Sequence, residues 1–412
     1  METWKDLVGK WVVALVSGGL DSTTIVKWLS SRGVRVLALT VDLGQPDESD
    51  MEDIPRRMKA AGAEEAILID GKNRLAKDAM KVIHAQAFHE GGYWNTTGIA
   101  RMSAVSVALS EIQKREIKTV VHGATGRGND QVRFELGFAM LDPKIQIYAP
   151  WRKRDFLKEF GGRREMIEYC QNHCLEVSTT IKKPYSTDSN LCGLTHEAGK
   201  LEFLNTPTDF VNFIMCVHPK DAPDKEETVL IVFENGVPVG INGHGLDLVN
   251  IFLELNKIAG RNGVGILDVV ENRRVGIKSR GIYEAPGVTL LGRAYAKMLE
   301  LILDRERRKS FEIISRKLAD VVYEGEWFSP LASDLLAVTE NIAKMVTGVV
   351  VFKLYKGNIF FASADARHSL YDPERSSMEK IGEFNHEDSQ GYLNIAGVTA
   401  RAMAHAGLAH KS

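Results

Sequence analysis

The chain has 412 residues, 44% of them hydrophobic and 26% charged, a globular mix long enough for two or three domains with real cores. Its formal net charge of -2 supplies no overall basic field for nucleic acid or an anionic membrane. The first apolar run, 11–16, is too short for a signal-peptide core or a membrane span, so neither partner is expected.

Residues 11–28 read as a buried strand, a small polar turn and a helix. The turn suits phosphate. Gly18 and Gly19 let backbone N–H groups approach an anion, Ser17, Ser22 and Thr23 add hydroxyl donors, and the new helix aims its positive end there. Asp21 is the odd member, because a carboxylate beside phosphate is repelled unless a cation such as Mg2+ lies between them. Neither a Walker sequence nor a Gly-x-Gly-x-x-Gly after a strand occurs.

Strand and helix patterns then alternate: a strand at 34–41, helical spacing at Ile54, Met58 and Ala61, and a short strand at 66–69. This is the pattern of a parallel sheet covered on both faces, which binds ligands beyond the carboxyl ends of its strands. A helix over 73–89 leads to a glycine-punctuated aromatic turn at 90–97, and an amphipathic helix follows over 99–115. The strand 119–122 opens into a second polar, glycine-bearing loop, 123–135, in which Arg133 is suited to grip a carboxylate with two parallel hydrogen bonds. A strand from 145 and one charged helix over 153–173 close the nucleotide domain.

Beyond it the pattern changes to longer loops and hairpins. Lys182 to Leu191 is a polar segment, with a surface loop and a substrate site as competing accounts. Asn235-Gly236 marks a hairpin over 228–239, and 246–258 is helical. At 271–273 and 279–284 buried charge competes with substrate recognition. Helices at 288–304, 310–322 and 332–345 follow, with Arg305 to Arg308 as a solvated connection. A second hairpin at 349–361 precedes a polar tail ending in a helix over 398–410, which could dock on a neighbouring subunit.

Cys170, Cys174, Cys192 and Cys216 form no Cys-x-x-Cys pair, which fits a reduced, cytoplasmic protein. Cys170, His173 and Cys174 lie at helical spacing with no second ligand pair, so zinc has little support. No metal site is assigned beyond Mg2+ carried with phosphates.

With these stretches in view the sequence closely resembles the argininosuccinate synthase family, through 17–23, 44–47, 123–135, 149–151, 185–197, 271–273 and 279–286. The opening turn alone would indicate only the wider N-type ATP pyrophosphatase group. The resemblance implies an α/β fold: a doubly wound, mostly parallel nucleotide-binding domain (1–170), an α+β synthetase domain (171–370) and a C-terminal helical tail (371–412), expected to serve oligomerisation. It implies a cytoplasmic homotetramer that ligates citrulline and aspartate using ATP, releasing AMP and pyrophosphate.

By position, the resemblance places ATP on Leu15, Val16, Ser17, Gly18, Gly19, Leu20, Asp21, Ser22, Thr23, Val41, Gly123 and Asp188. It places citrulline on Tyr93, Asn129, Arg133, Ser186, Thr195, Glu197, Glu271 and Tyr283, and aspartate on Thr97, Thr125, Asn129 and Asp130. Asp21 and Asp130 are the expected catalytic carboxylates. Three positions depart from the family's habit: Val16 for an aromatic residue, Val41 for alanine, and Gly98 where some members have serine. Two rivals are an RNA-modifying ligase of the same ATP-using group and an adenine-nucleotide sensor without turnover.

Overall fold

In the first strand Val12 and Ala14 join one buried cluster and Val13 the other, so this strand needs cover on both faces. The computed structural model, which describes residues 3–176, 184–379 and 385–410, shows how that cover is built. Along the chain come β1 (Trp11–Leu15), α1 (Leu20–Ser30), β2 (Arg35–Asp42), α2 (Ile54–Ala60), β3 (Glu65–Asp70) and α3 (Lys72–His84). Then follow α4 (Thr96–Lys114), β4 (Thr119–His122), α5 (Asp130–Leu141), β5 (Gln146–Tyr148), α6 (Arg154–Glu159) and α7 (Arg163–Asn172).

The five strands form a parallel sheet in the order β3-β2-β1-β4-β5. Ile25 and Trp28 of α1, Met58 of α2, Phe156 of α6 and Ile167 of α7 pack in the Val12 cluster. Leu75 and Ile83 of α3, Met102 and Val105 of α4 and Phe138 of α5 pack in the Val13 cluster. The sheet is therefore doubly wound. Leu15 pairs with both Leu39 and His122, so the order turns back at β1 and the topological switch point falls between the tips of β1 and β4.

The remainder of the first unit is α+β. It contains β6 (Ser186–Asn190), β7 (Gly193–Glu197), β8 (Glu227–Glu234), β9 (Val237–Ile241), β10 (His244–Gly245), α8 (Leu248–Arg261), β11 (Ile266–Asn272) and β12 (Lys278–Glu284). After these come α9 (Pro286–Ile302), α10 (Arg305–Glu324), α11 (Pro330–Ala343), β13 (Gly348–Tyr355) and β14 (Asn358–Ala366). Two antiparallel sheets result, ordered β11-β12-β7-β6 and β10-β9-β8-β13-β14. Both expected hairpins form, with positive φ at Asn235-Gly236 (48° and 86°) and at Lys356-Gly357 (47° and 82°). Contacts divide the chain at residue 367: Met1–Arg367 is one unit, and His368–Ser412, with α12 (Asp388–His405), is another.

Several boundaries differ from expectation. The helix expected to reach residue 89 stops at His84, where Gln86 takes φ 49° and turns the chain. The loop expected over 123–135 becomes α5 from Asp130 onward, and the single helix over 153–173 is split into α6 and α7 around Gly161-Gly162. Part of the 182–191 segment is strand β6, because its polar residues pair with β7; Lys182 and Lys183 lie outside the described residues. Arg305 to Arg308 form the first turn of α10, capped by Asp304, rather than a connection. The tail helix begins ten residues earlier than expected and ends at His405.

Candidate active site

The turn after β1 is held from within and from behind. The Ser17 N–H donates to Ser22 Oγ at 3.0 Å, the two hydroxyls lie 3.3 Å apart, and Thr23 caps back onto Gly19 O at 3.0 Å. Gly18 sits at φ +78°, and a Cβ there would come within 2.9 Å of Ile54. Arg57, itself paired with Glu48 and Asp53, donates to Gly18 O at 3.0 Å. Val16, Ser17, Gly18 and Gly19 thus form a fixed turn at the start of α1, whose first residues are Leu20 and Asp21.

Asp21 is mostly buried, and burial pushes its carboxyl above its ordinary value against an opposing hydrogen bond from Trp151 Nε1 at 2.9 Å. A Cβ on Gly123 would sit 3.6 Å from Asp21 Cβ, so the β4 turn lies directly against the β1 turn. Val41 is the penultimate residue of the neighbouring strand β2, buried beside Gly71. Among the described residues no group of three or more His, Cys, Asp or Glu side chains could hold a metal. Asp21 as a lone carboxylate beside a phosphate-shaped turn nevertheless fits Mg2+, which is usually held by one or two carboxylates and phosphate oxygens. The Cys170, His173 and Cys174 group forms no such site; Cys170 is buried beside Thr24.

The second turn feeds a charged network. Asp130 opens α5 and accepts from Arg101 Nε and Arg133 Nη1, each at 2.9 Å. Burial alone would raise the Asp130 carboxyl, but these two guanidinium groups hold it down at about 2. Arg101 also reaches Asp188 at 2.7 Å, joining the parallel sheet's edge to β6. Asn129 accepts from the Arg274 N–H at 3.1 Å, while Thr125 stays in the glycine turn itself.

Strand register places the remaining candidates. Ser186 pairs with Glu197 and Asp188 with Thr195; Thr195 pairs with Tyr283, and Gly281 with Glu197; Glu271 pairs with Ser279. Directly paired residues share a face and alternate residues return to it, so Ser186, Asp188, Thr195, Glu197, Glu271 and Tyr283 all belong to one side of one sheet. Four strands thus contribute one polar face. The start of α4 adds to it: Thr97 Oγ1 lies 3.2 Å from Thr195 Oγ1, and the Thr97 N–H donates to Tyr93 Oη at 2.9 Å. The Tyr93 and Tyr283 rings stack at 4.0 Å.

Two carboxylates on this surface are unusual. Glu271 is buried, accepts from Tyr323 Oη at 3.0 Å through Oε1, and leaves Oε2 without a hydrogen-bond partner. Burial pushes its carboxyl above the ordinary 4.5. Glu197 is raised as well, chiefly by burial, despite an ion pair with Arg273 at 2.5 Å. A buried carboxylate with a bare oxygen, walled by Tyr93, Tyr283 and Tyr323, has the chemistry to receive an ammonium group.

Arg133 is buried, and its Nε and Nη2 both donate to Tyr323 O, at 3.1 and 3.0 Å. The expected two-pronged grip therefore cannot use that edge, but one hydrogen remains on each Nη nitrogen. A Cβ on Gly98 would lie 3.6 Å from Arg133 Nε and Nη2, so the serine of other family members would stand beside this guanidinium. Arg101, Trp151, Arg273 and Tyr323 belong to this network, yet the sequence reading assigned none of them a ligand. They sit on helices, a strand-end turn or a hairpin turn, with Trp151 and Arg273 inside stretches already noted.

Residues 11–176 match the description Arginosuccinate synthase N-terminal HUP domain, and 185–403 match Arginosuccinate synthase C-terminal domain. The argininosuccinate synthase of Rhodopirellula baltica is 42% identical over 391 residues, covering 94% of this chain and 96% of that protein. That of Caldanaerobacter subterraneus subsp. tengcongensis is 41% identical over 401 residues, covering 97% and 96%. That of Thermotoga maritima is 39% identical over 390 residues, covering 93% and 95%.

Proposed function

Because the chain belongs to the argininosuccinate synthase family, ATP-dependent ligases of arginine biosynthesis, we propose that it joins citrulline to aspartate through a citrullyl-AMP intermediate. The observation that carries this reading is the meeting of two glycine-bearing turns, at the adjoining tips of β1 and β4, with a six-residue polar face linked to them through Arg101.

A ureido oxygen is a weak nucleophile and a poor leaving group. Its attack on the α-phosphorus breaks the bond to the bridging oxygen, releases pyrophosphate and makes an AMP ester. The aspartate amine then attacks the ureido carbon, loses a proton, and AMP departs. No enzyme nucleophile is needed, so the protein's task is alignment and charge stabilisation. In this reading the backbone from Leu15 to Gly19 and the hydroxyls of Ser17, Ser22 and Thr23 hold the triphosphate, with Val41 and Gly123 flanking the nucleotide. Asp21 would hold Mg2+ with the phosphates, and the ion would neutralise charge on the departing pyrophosphate.

Citrulline's ammonium group belongs at Glu271 and Glu197, and its carboxylate at the free Nη hydrogens of Arg133, near Asn129, Ser186 and Thr195. Tyr93 and Tyr283 wall its side chain. Aspartate lies at Thr97, Thr125, Asn129 and Asp130, with Asp188 and Asp130 tied by Arg101 beside the nucleotide. The domains assigned are a nucleotide-binding one over 1–170, whose α4 and α5 also contact the amino acids, a synthetase domain over 171–370 that carries most of the citrulline face, and a tail over 371–412 for assembly as a homotetramer. The free cysteines accord with a reducing cytoplasm.

The test is pyrophosphate release with each substrate omitted in turn. Sustained release only with ATP, citrulline and aspartate together is the expected result. Release with both amino acids absent, or only with RNA, would overturn the reading.

A further inference from the structure

The opposite face of the recognition sheet carries a fully buried acid–base pair that the chemistry above does not use. Glu284 ends β12, next to Tyr283, and His196 lies on β7 between Thr195 and Glu197. Both are completely buried, and His196 Nε2 lies 2.7 Å from Glu284 Oε1. Ile282, not Glu284, is the direct partner of His196 in the register, so this contact is a diagonal tie across two strands in addition to the backbone ladder. With Glu284 as acceptor, Nε2 carries the proton, and Nδ1 is buried without a partner.

Glu284 does more than hold the histidine. Three consecutive backbone N–H groups converge on its carboxylate: Ile214 at 3.0 Å, and Met215 and Cys216 at 2.7 Å each. The same segment continues to α8, where the Val217 N–H donates to Gly260 O at 2.9 Å and a Cβ on Gly260 would collide with Met215 O. Tyr185 and Phe213 pack edge-on against the His196 ring at 5.4 and 6.3 Å. One carboxylate therefore clamps β7, β12 and the 214–216 segment together, directly behind the face that presents Thr195, Glu197 and Tyr283.

We infer that Glu284 and His196 are positioning residues for the amino-acid substrate: by locking β7 to β12 from behind, they set the spacing of Thr195, Glu197 and Tyr283 on the recognition face. This rests on the assignment of that face to citrulline. Neither residue touches the nucleotide turns, which are built on a different sheet, so the effect is selective. A group that merely kept the protein folded would change the amount of active enzyme and leave each KM alone.

The experiment uses the full-length chain and three variants, Glu284→Gln, His196→Leu and His196→Gln, with KM for citrulline and for ATP measured separately. Glu284→Gln and His196→Leu are expected to raise the citrulline KM about tenfold or more, with the ATP KM within about twofold of wild type. His196→Gln, which keeps a donor for Glu284, is expected to restore most of the citrulline KM. Should Glu284→Gln fail to fold, the histidine pair decides: a raised KM in the leucine variant and its recovery in the glutamine variant support the inference. Equal citrulline KM values in these two variants, or parallel changes in both substrates, would overturn it. If wild-type turnover proves independent of citrulline, the functional assignment of the face fails instead, which distinguishes the two failures.

Discussion

Asp21 and Glu271 show how burial changes what a carboxylate does. Asp21 is mostly removed from water yet receives a hydrogen bond from Trp151, so its carboxylate is held in place at the start of α1, where the proposed reading puts a cation. Asp21→Asn keeps the size and removes the charge; pyrophosphate release should fall by at least ~100-fold with the circular dichroism spectrum unchanged. Normal release would remove Asp21 from the chemistry. Glu271 must be ionised to attract an ammonium group, and burial raises its carboxyl above the ordinary 4.5. Protonation on lowering the pH removes that attraction, so kcat/KM for citrulline should decline on an acid limb above pH 4.5. Glu271→Gln should lower kcat/KM and abolish the limb attributable to this group; an identical pH profile in the variant would contradict the assignment.

At the scale of elements, the turn between β1 and α1 is the most sharply determined. Gly18→Ala must place a side chain at φ +78° and 2.9 Å from Ile54, which should cost about 1–2 kcal/mol in urea denaturation and raise the ATP KM. Unchanged stability and KM would show that the turn adjusts freely. This turn was legible in the sequence because an unbroken apolar run next to Ser-Gly-Gly admits few structures. The parallel strands were legible for the same reason, being apolar toward both faces. β6 was not, since its Ser-Thr-Asp-Ser-Asn composition suggests a loop and only its pairing with β7 makes it a strand. Nor could composition show that Ser186, Thr195, Glu271 and Tyr283 share a face, because that follows from pairings between strands up to about a hundred residues apart. Arg101 and Tyr323 were hidden differently: each lies in a helix whose pattern explains it as an ordinary amphipathic position until Asp130, Asp188 and Glu271 are brought beside it.

The whole chain combines a doubly wound parallel-sheet layer, a layer of antiparallel sheets with their helices, and a separate C-terminal unit. Within that last unit α12 leaves Tyr392, Leu393, Ile395 and Val398 uncovered, a run of apolar side chains suited to contact with other copies. A chain ending at Arg367 should keep its fold by circular dichroism but show a lower assembled mass by light scattering, with the four-chain species lost; an undiminished tetramer would place assembly elsewhere. The division of labour between the layers has a further effect. In the proposed assignment the energy-rich donor is held by the turn after β1, whereas most of the citrulline contacts lie on the β11-β12-β7-β6 sheet, joined to the first sheet's loops by Arg101. Exchanges on the acceptor surface can therefore retune which amino acid is accepted while leaving the fuel supply intact, so specificity in this scaffold is free to drift without rebuilding its engine.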